Sequence, residues 1–350
     1  MKGNHVTLKD IAKKLGITAA TVSRALKDYP DISPLTKKAV LEMVKEMKYR
    51  PNPIALNLRK NQSNTIGVII PNIIHNFFSS VISGIMEKAD EEGYSVVICQ
   101  SNENYQREVR EAGVLFSSRV DGLLISLSNE TKEYEHLKEF LDYQVPVVLM
   151  DKICDELEVS KVVVDDFEGA FHAVEHLIKQ GCKRIAHIKG PNAPSNVKAR
   201  YEGYLKALKK HKIPFDPNLV FECQQMSYED GYEQTSNMLT LPTLPDGIFA
   251  GSEMAAVGAL VALKENKIKI PEEIAIIGFN DFKMASVIEP SLTTVYQPGE
   301  EMGRVAVEIL LNEIKLSQKD KPITHRTETL KTHLIERDSS NRRKNSISVK

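Results

Sequence analysis

Arg24 closes a short run of small and polar residues: Thr18, Ala19, Ala20, Thr21 and Ser23. On one helix such a run suits the edge of a base pair. An arginine fork matches the O6 and N7 acceptors of guanine, and alanine methyls pack on thymine methyls. Thr7, Thr21 and Ser23 carry hydroxyls suited to phosphate oxygens, which set register rather than read sequence. Other chemistry has less support. There is no Gly-x-x-x-x-Gly-Lys-Ser/Thr loop, no Gly-x-Gly-x-x-Gly after a strand and no Gly-x-Ser-x-Gly elbow. His172 and His176 stand four apart, a spacing that can hold zinc. No Glu follows the first and no third ligand lies near, so both are expected on plain helix surface. Asp165-Asp166 reads as a chain crossover rather than a catalytic pair. No cofactor, no metal and no enzymatic activity are expected.

The elements that would position Arg24 are legible. Thr7 is placed to cap a helix, with Asp10 three residues on in a near capping box. Leu8, Ile11, Ala12 and Leu15 recur at helical spacing, and Gly16 follows as a stop. A second helix runs from Ala19 to Leu26 with Val22 and Leu26 inward. A third runs from about Pro34 to Met47, with Ser33 as cap and Val40, Val44 and Met47 inward. Two short helices joined by a glycine turn, with a third in support, make a helix-turn-helix. Charge agrees. Residues 1–64 hold thirteen Lys/Arg against five Asp/Glu, and the remainder 33 against 42, so the net charge of -1 hides a basic head on an acidic body. Such a head suits a polyanion. A three-helix protein-interaction module or a solvated basic face is the plainer alternative.

Beyond the head the chain alternates. Ile66–Pro71, Ser95–Cys99, Gly122–Ile125 and Pro146–Met150 read as short buried strands, with helices Phe78–Gly93, Tyr105–Ser118 and Glu133–Tyr143 between. A second series begins near Asp166, with strands at Arg184–Ile188, Gly247–Ala250 and Ile274–Gly278. Two doubly wound parallel sheets follow from this alternation. Ligands bind such sheets at the carboxyl ends of the strands. That rule gathers Asn72–Phe78, Ser101–Asn102, Asp151, Arg200, Ser252, Glu253, Asn280, Asp281 and Gln297 around one cleft. With no Trp in the chain, stacking on a ligand ring falls to Phe or Tyr. Cys99, Cys154, Cys182 and Cys223 are far apart and are expected as reduced, structural thiols. No apolar run approaches 18 residues and no export-type segment leads the chain, so no membrane span and a cytoplasmic location are expected.

Thr7-Leu8-Lys9-Asp10-Ile11-Ala12, Thr21-Val22-Ser23-Arg24-Ala25-Leu26, Tyr49-Arg50-Pro51-Asn52 and Asn64-Thr65-Ile66-Gly67 stand in the order and spacing of the lactose/galactose repressor (LacI/GalR) family, which this chain resembles over roughly residues 6–337. Arg200-Tyr201-Glu202-Gly203-Tyr204 and Ile277-Gly278-Phe279-Asn280-Asp281 continue the likeness. The resemblance implies an all-α helix-turn-helix head (1–50), a hinge (51–64) and a periplasmic-binding-protein-like body of two lobes (65–338). The first lobe would take about 65–164 and 293–322, and the second about 165–292 and 323–338. A disordered tail, 339–350, would follow. It implies a homodimer on double-stranded operator DNA, regulated by a sugar-like effector. In the hinge, Leu58 matches the wedge leucine of the minor groove and Arg59 its neighbour, with Asn52 and Ala55 in the same segment. In the body, Arg200 and Asp281 match ligand-contacting positions, and Phe77 and Phe78 match aromatic ones. Glu253 departs from a usual Asp, and Ser252 from a common Asn. The rival readings are a solute-binding protein for a transporter, which the basic head counts against, and a sugar-active enzyme, which lacks a catalytic constellation.

Overall fold

The computed structural model describes residues 6–49, 62–74 and 76–342. The chain divides into two compact units, residues 1–63 and 64–350.

In the first unit, α1 (Leu8–Leu15), α2 (Ala19–Leu26) and α3 (Pro34–Glu46) follow the sequence signals closely. Thr7 and Asp10 form a reciprocal capping box: the Thr7 N–H donates to Asp10 Oδ2 at 2.8 Å, and the Asp10 N–H to Thr7 Oγ1 at 3.4 Å. Gly16 ends α1 at φ 65°, a conformation that costs a residue with a Cβ more than it costs glycine. Thr18 caps α2 and Ser33 caps α3, each by accepting a backbone N–H at 3.1 Å. Ile11, Ala12, Val22, Ala25 and Val40 form the buried centre, with Leu8, Leu15, Leu26, Val44 and Met47 packed around it.

The second unit holds two six-stranded sheets with the same winding. The first runs β2-β1-β3-β4-β5-β11, where β1 is Thr65–Ile70, β2 Ser95–Gln100, β3 Gly122–Ile125, β4 Val147–Met150, β5 Ser160–Val164 and β11 Thr327–Leu330. The second runs β7-β6-β8-β9-β10-β12, where β6 is Ile185–Lys189, β7 Val220–Glu222, β8 Gly247–Ala250, β9 Ala275–Asn280, β10 Thr293–Tyr296 and β12 His333–Ile335. All pairings are parallel except β10 with β12. Helices cover both faces. In the first lobe α4 (Asn76–Glu91) and α11 (Gly299–Ser317) pack on one side, with α5 (Tyr105–Ser117) and α6 (Glu135–Asp142) on the other. In the second, α7 (Asp166–Lys179) and α8 (Ser195–Lys210) pack on one face, α9 (Tyr228–Met238) and α10 (Glu253–Glu265) on the other. The last pair meets backbone to backbone: a Cβ at Gly258 would collide with the carbonyl oxygen of Tyr228.

Four expectations need correction. Thr293–Tyr296 belongs to the second sheet, paired with Ile277–Asn280, so the return to the first lobe comes after it, near Gln297. Thr327–Leu330 belongs to the first sheet, paired with Lys161–Val164, so the last crossing falls between Leu330 and His333. A four-residue strand carries no mark of which sheet it will join, because its alternation fits either edge. The tail does not begin at Ser339. Ser339 and Ser340 are buried, and the Ser339 hydroxyl donates to the Ile276 carbonyl at 2.7 Å. Arg342 still donates to the Glu273 carbonyl at 2.7 Å, while 343–350 lie outside the described residues. His176, finally, is not on the surface: it is buried, with Nε2 at 2.9 Å from Ser340 Oγ. His172 is exposed and faces Glu168 at 3.3 Å. Among the described residues no cluster of ligands suits a metal, and no helix is long and apolar enough to cross a membrane. All four cysteines are free thiols.

Candidate functional site

The head presents Thr7, Thr18, Ala20 and Arg24 as exposed residues, with Thr21 and Ser23 half-buried. Ala19 departs from the outward reading and packs against the head core. The Thr18 and Thr21 hydroxyls lie 2.8 Å apart, and Thr18 also serves the helix cap, so both are partly committed within the fold. Arg24 is held too: its guanidinium pairs with Asp31 and lies 5.4 Å from the Tyr29 ring centroid. At about half exposure this pair is worth little and can exchange for another acceptor. The hinge residues Asn52, Ala55, Leu58 and Arg59 lie outside the described residues.

The second site forms where each sheet reverses its strand order, between β1 and β3 in one lobe and β6 and β8 in the other. Neighbouring strand ends there send their loops in opposite directions and leave a crevice. The cleft is walled by both lobes: Phe77, Phe78, Glu103, Asn129, Asp151 and Lys152 from the first, and His187, Lys189, Asn196, Arg200, Ser252 and Asn280 among those from the second. Gln297 lines it at the crossing between lobes. The lobes touch beside it. Asn196 Nδ2 donates to Asp151 Oδ1 at 3.1 Å, and the Ile153 N–H donates to Ser195 Oγ at 3.1 Å.

Arg200 anchors the second-lobe wall. Its Nε donates to Asp166 Oδ1 at 2.7 Å and its Nη1 to the Gly251 carbonyl at 2.6 Å. The guanidinium lies 3.9 Å from the centroid of the Phe279 ring. Burial raises Asp166 to about 6 against the pull of Arg200, and burial likewise raises Asp151. Lys152 pairs with Glu103 at 2.6 Å, and Lys189 with Glu222 at 2.8 Å. The arrangement is a set of buried donors and acceptors held in fixed geometry beside two aromatic rings. It can grip a polar molecule and report its presence through the contacts between lobes.

The comparisons with known proteins bear on both sites. A family model for bacterial regulatory proteins of the lacI family matches residues 7–52, and one for a periplasmic binding protein-like domain matches residues 174–340. The transcriptional regulator RegA of Clostridium saccharobutylicum is 32% identical over 335 residues, covering 95% of this chain and 99% of RegA. The chain belongs to the LacI family. It is a DNA-binding transcription regulator, not an enzyme. The transcriptional repressor CytR of Escherichia coli K12 is 34% identical over 309 residues, covering 88% of this chain and 90% of CytR. Among solved structures, a lac repressor dimer bound to operator and an anti-inducer superposes with TM-score 0.83 at 26% identity, over 96% of this chain and 99% of that one. The regulator CelR in complex with cellobiose superposes with TM-score 0.70 at 28% identity, over 95% and 99%.

Within this LacI-family body, seven residues expected at the cleft line it: Phe77, Phe78, Asp151, Arg200, Ser252, Asn280 and Gln297. Two do not. Glu253 is buried behind the wall, its Oε2 accepting the Phe282 N–H at 2.7 Å, and Asp281 is taken by Arg337 at 2.7 Å. The backbone leaves β9 with φ 135° at Asn280 and 60° at Asp281, and Asn280 faces the cleft while Asp281 turns to Arg337. Ser252 is committed as the cap of α10 and donates to the Met226 carbonyl at 2.8 Å. Sequence reasoning missed Asn196, His187, Lys189 and Lys152. Asn196 was findable, because it stands four before Arg200 on the same helix face. His187 was not, because nothing local separates a strand histidine that faces a cleft from one that fills a core.

Proposed function

We propose that this regulator is a cytoplasmic repressor that binds a pseudo-palindromic operator as a homodimer and is controlled by a small sugar-like effector in the cleft. Residues 1–50 would be the reading head and 51–64 the hinge. The remainder would be the effector-binding and dimerising body, with Phe77, Phe78, Arg200, Ser252, Asn280 and Gln297 among its contacts. Arg24 and Ala20 would meet base edges, with Thr7, Thr18, Thr21 and Ser23 on phosphates and Ala19 behind them. Asn52, Ala55, Leu58 and Arg59 would follow in the minor groove, Leu58 as a wedge. The observation that carries the effector reading is the contact of the two lobes beside the cleft, Asn196 with Asp151 and Ser195 with Ile153. A molecule bound between the lobes has differential affinity for their closed and open relation, and any change transmitted to the operator-binding form is coupled to it. The operator-bound lac repressor dimer and the cellobiose complex of CelR support the two halves of the proposal.

The test selects operator sequences from genomic fragments with the purified chain and measures binding of the recovered site against salt and a sugar panel. A palindrome with a steep salt slope, shifted by one sugar, is the expected result. Leu58→Ala should weaken the selected site and spare random DNA. Equal losses on both would refute the wedge role, and a well-folded protein that enriches no sequence, with or without sugars, would refute the proposal.

A further inference from the structure

His187 sits on β6 with no exposed surface, and its Nδ1 lies 2.9 Å from the Phe249 carbonyl oxygen. A carbonyl only accepts, so Nδ1 carries the hydrogen and Nε2 of the neutral ring is left as a bare acceptor. Burial pushes the ring's pKa down to about 4, so the neutral form prevails near neutral pH. Nε2 has no partner. The ring cannot swing to find one, because Phe249, Tyr204 and Tyr201 stack alongside at 4.8, 5.1 and 6.1 Å between centroids. Beside that edge stand Gly251, where a Cβ would be 3.8 Å from His187 Cε1, and the Met226 methyl, 3.1 Å from the same Cβ position; both His187 and Met226 line the cleft. Two more polar atoms of cleft residues are buried and unpartnered, the Gln297 Nε2 donor and the Asn196 Oδ1 acceptor.

Charge narrows the occupant. Among the described residues the three cations lining the cleft are each matched by a carboxylate: Lys152 by Glu103, Lys189 by Glu222 and Arg200 by Asp166. Asp151 adds a further buried carboxyl. An anionic group would compete with Glu103, Glu222 and Asp166 for these cations, and a phosphate dianion has no hydrogen to give Nε2. Resting on the reading of this cleft as the effector site, we propose that His187 selects the effector, accepting a hydrogen bond at Nε2 from a hydroxyl or N–H of an uncharged, donor-rich molecule. Phosphorylated relatives of that molecule are rejected. A neutral sugar and a nucleoside share this chemistry.

The experiment titrates the full chain, by calorimetry, with ribose, glucose, cellobiose and uridine, each beside its phosphate monoester. At least one neutral compound should bind, with its phosphate ester at least about tenfold weaker. His187→Leu, of similar volume, should weaken the neutral ligand about tenfold or more, since the lost hydrogen bond leaves a ligand donor unpaired. The analogue of the ligand lacking the hydroxyl that meets His187 should bind the parent and His187→Leu alike, which a merely structural role would not produce. Should His187→Leu fail to fold, His187→Met, which also lacks a strong acceptor, carries the same comparison. Tighter binding of a phosphate ester, or unchanged binding by the folded variant, overturns the proposal. Silence across the panel overturns the chemical class. Arg200→Ala separates the two readings. Binding lost in Arg200→Ala but kept in His187→Leu sinks only the role of His187, whereas binding indifferent to both sinks the cleft as the effector site.

Discussion

Glu253 should make the body less stable as pH rises, and Glu253→Gln should remove that dependence. The carboxyl opens α10 but is almost wholly buried. Its Oε2 accepts the Phe282 N–H at 2.7 Å, and Oε1 has no partner. The cation that favours its charged form, Arg337, is already engaged by Asp281, whose own charge opposes ionisation. Burial therefore dominates and raises Glu253 to about 7, against roughly 4.3 for a free glutamate. Below the lower value both the folded and unfolded chains hold the proton, and the group adds no slope. Between the two values the folded chain keeps a proton that the unfolded chain has released, so stability falls as pH rises and levels off above about 8. A shift of this size corresponds to roughly 4 kcal/mol at most, before relaxation of the site reduces it. Glutamine imitates the protonated acid: it is neutral, of the same shape, and keeps the acceptor for Phe282. The variant's advantage over the parent should widen by roughly 1–3 kcal/mol between about pH 5 and pH 8. Urea unfolding of both proteins at several pH values, followed by circular dichroism, reads it directly. Asp151 and Asp166 titrate in both chains and cancel in the difference. A constant gap across that range would refute the argument that a buried, unpaired carboxyl carries the slope.

Ile11→Ala opens the small centre of the head, and a cost of about 2–5 kcal/mol should abolish operator binding while calorimetric ligand binding persists. Gly258→Ala drives a methyl into the Tyr228 carbonyl across two packed helices. It should lower body stability by about 1–3 kcal/mol in the same urea assay. Arg24→Ala should relax preference at one base pair by about 1–3 kcal/mol, seen by competition with substituted operators. Asp31→Asn, which removes the negative charge now holding Arg24, should tighten operator binding by no more than about fivefold, in line with the small worth of an exposed pair.

The head was legible almost to the residue. Thr7, Thr18 and Ser33 cap, Gly16 stops, and the apolar spacing fixes one inward face, because each of these acts within a turn or two of chain. The two wound sheets were legible for the same reason, as runs of buried strand separated by amphipathic helix. Arg200 was found by its place in a motif and does line the cleft, whereas Glu253 and Asp281, beside residues that face it, turn away. At that scale one residue's rotation about the backbone decides, and composition is silent. The sequence by itself determined the three helices of the basic head, seven of the strands and the alternation of strand with helix, whereas Ser160–Val164, Val220–Glu222 and His333–Ile335 went unread. Tertiary structure alone decided that Thr293–Tyr296 joins the second sheet and Thr327–Leu330 the first, and that His187 faces a cleft rather than a core. Those outcomes depend on which distant strands share hydrogen bonds, and a strand's own alternation is the same whichever neighbour it takes.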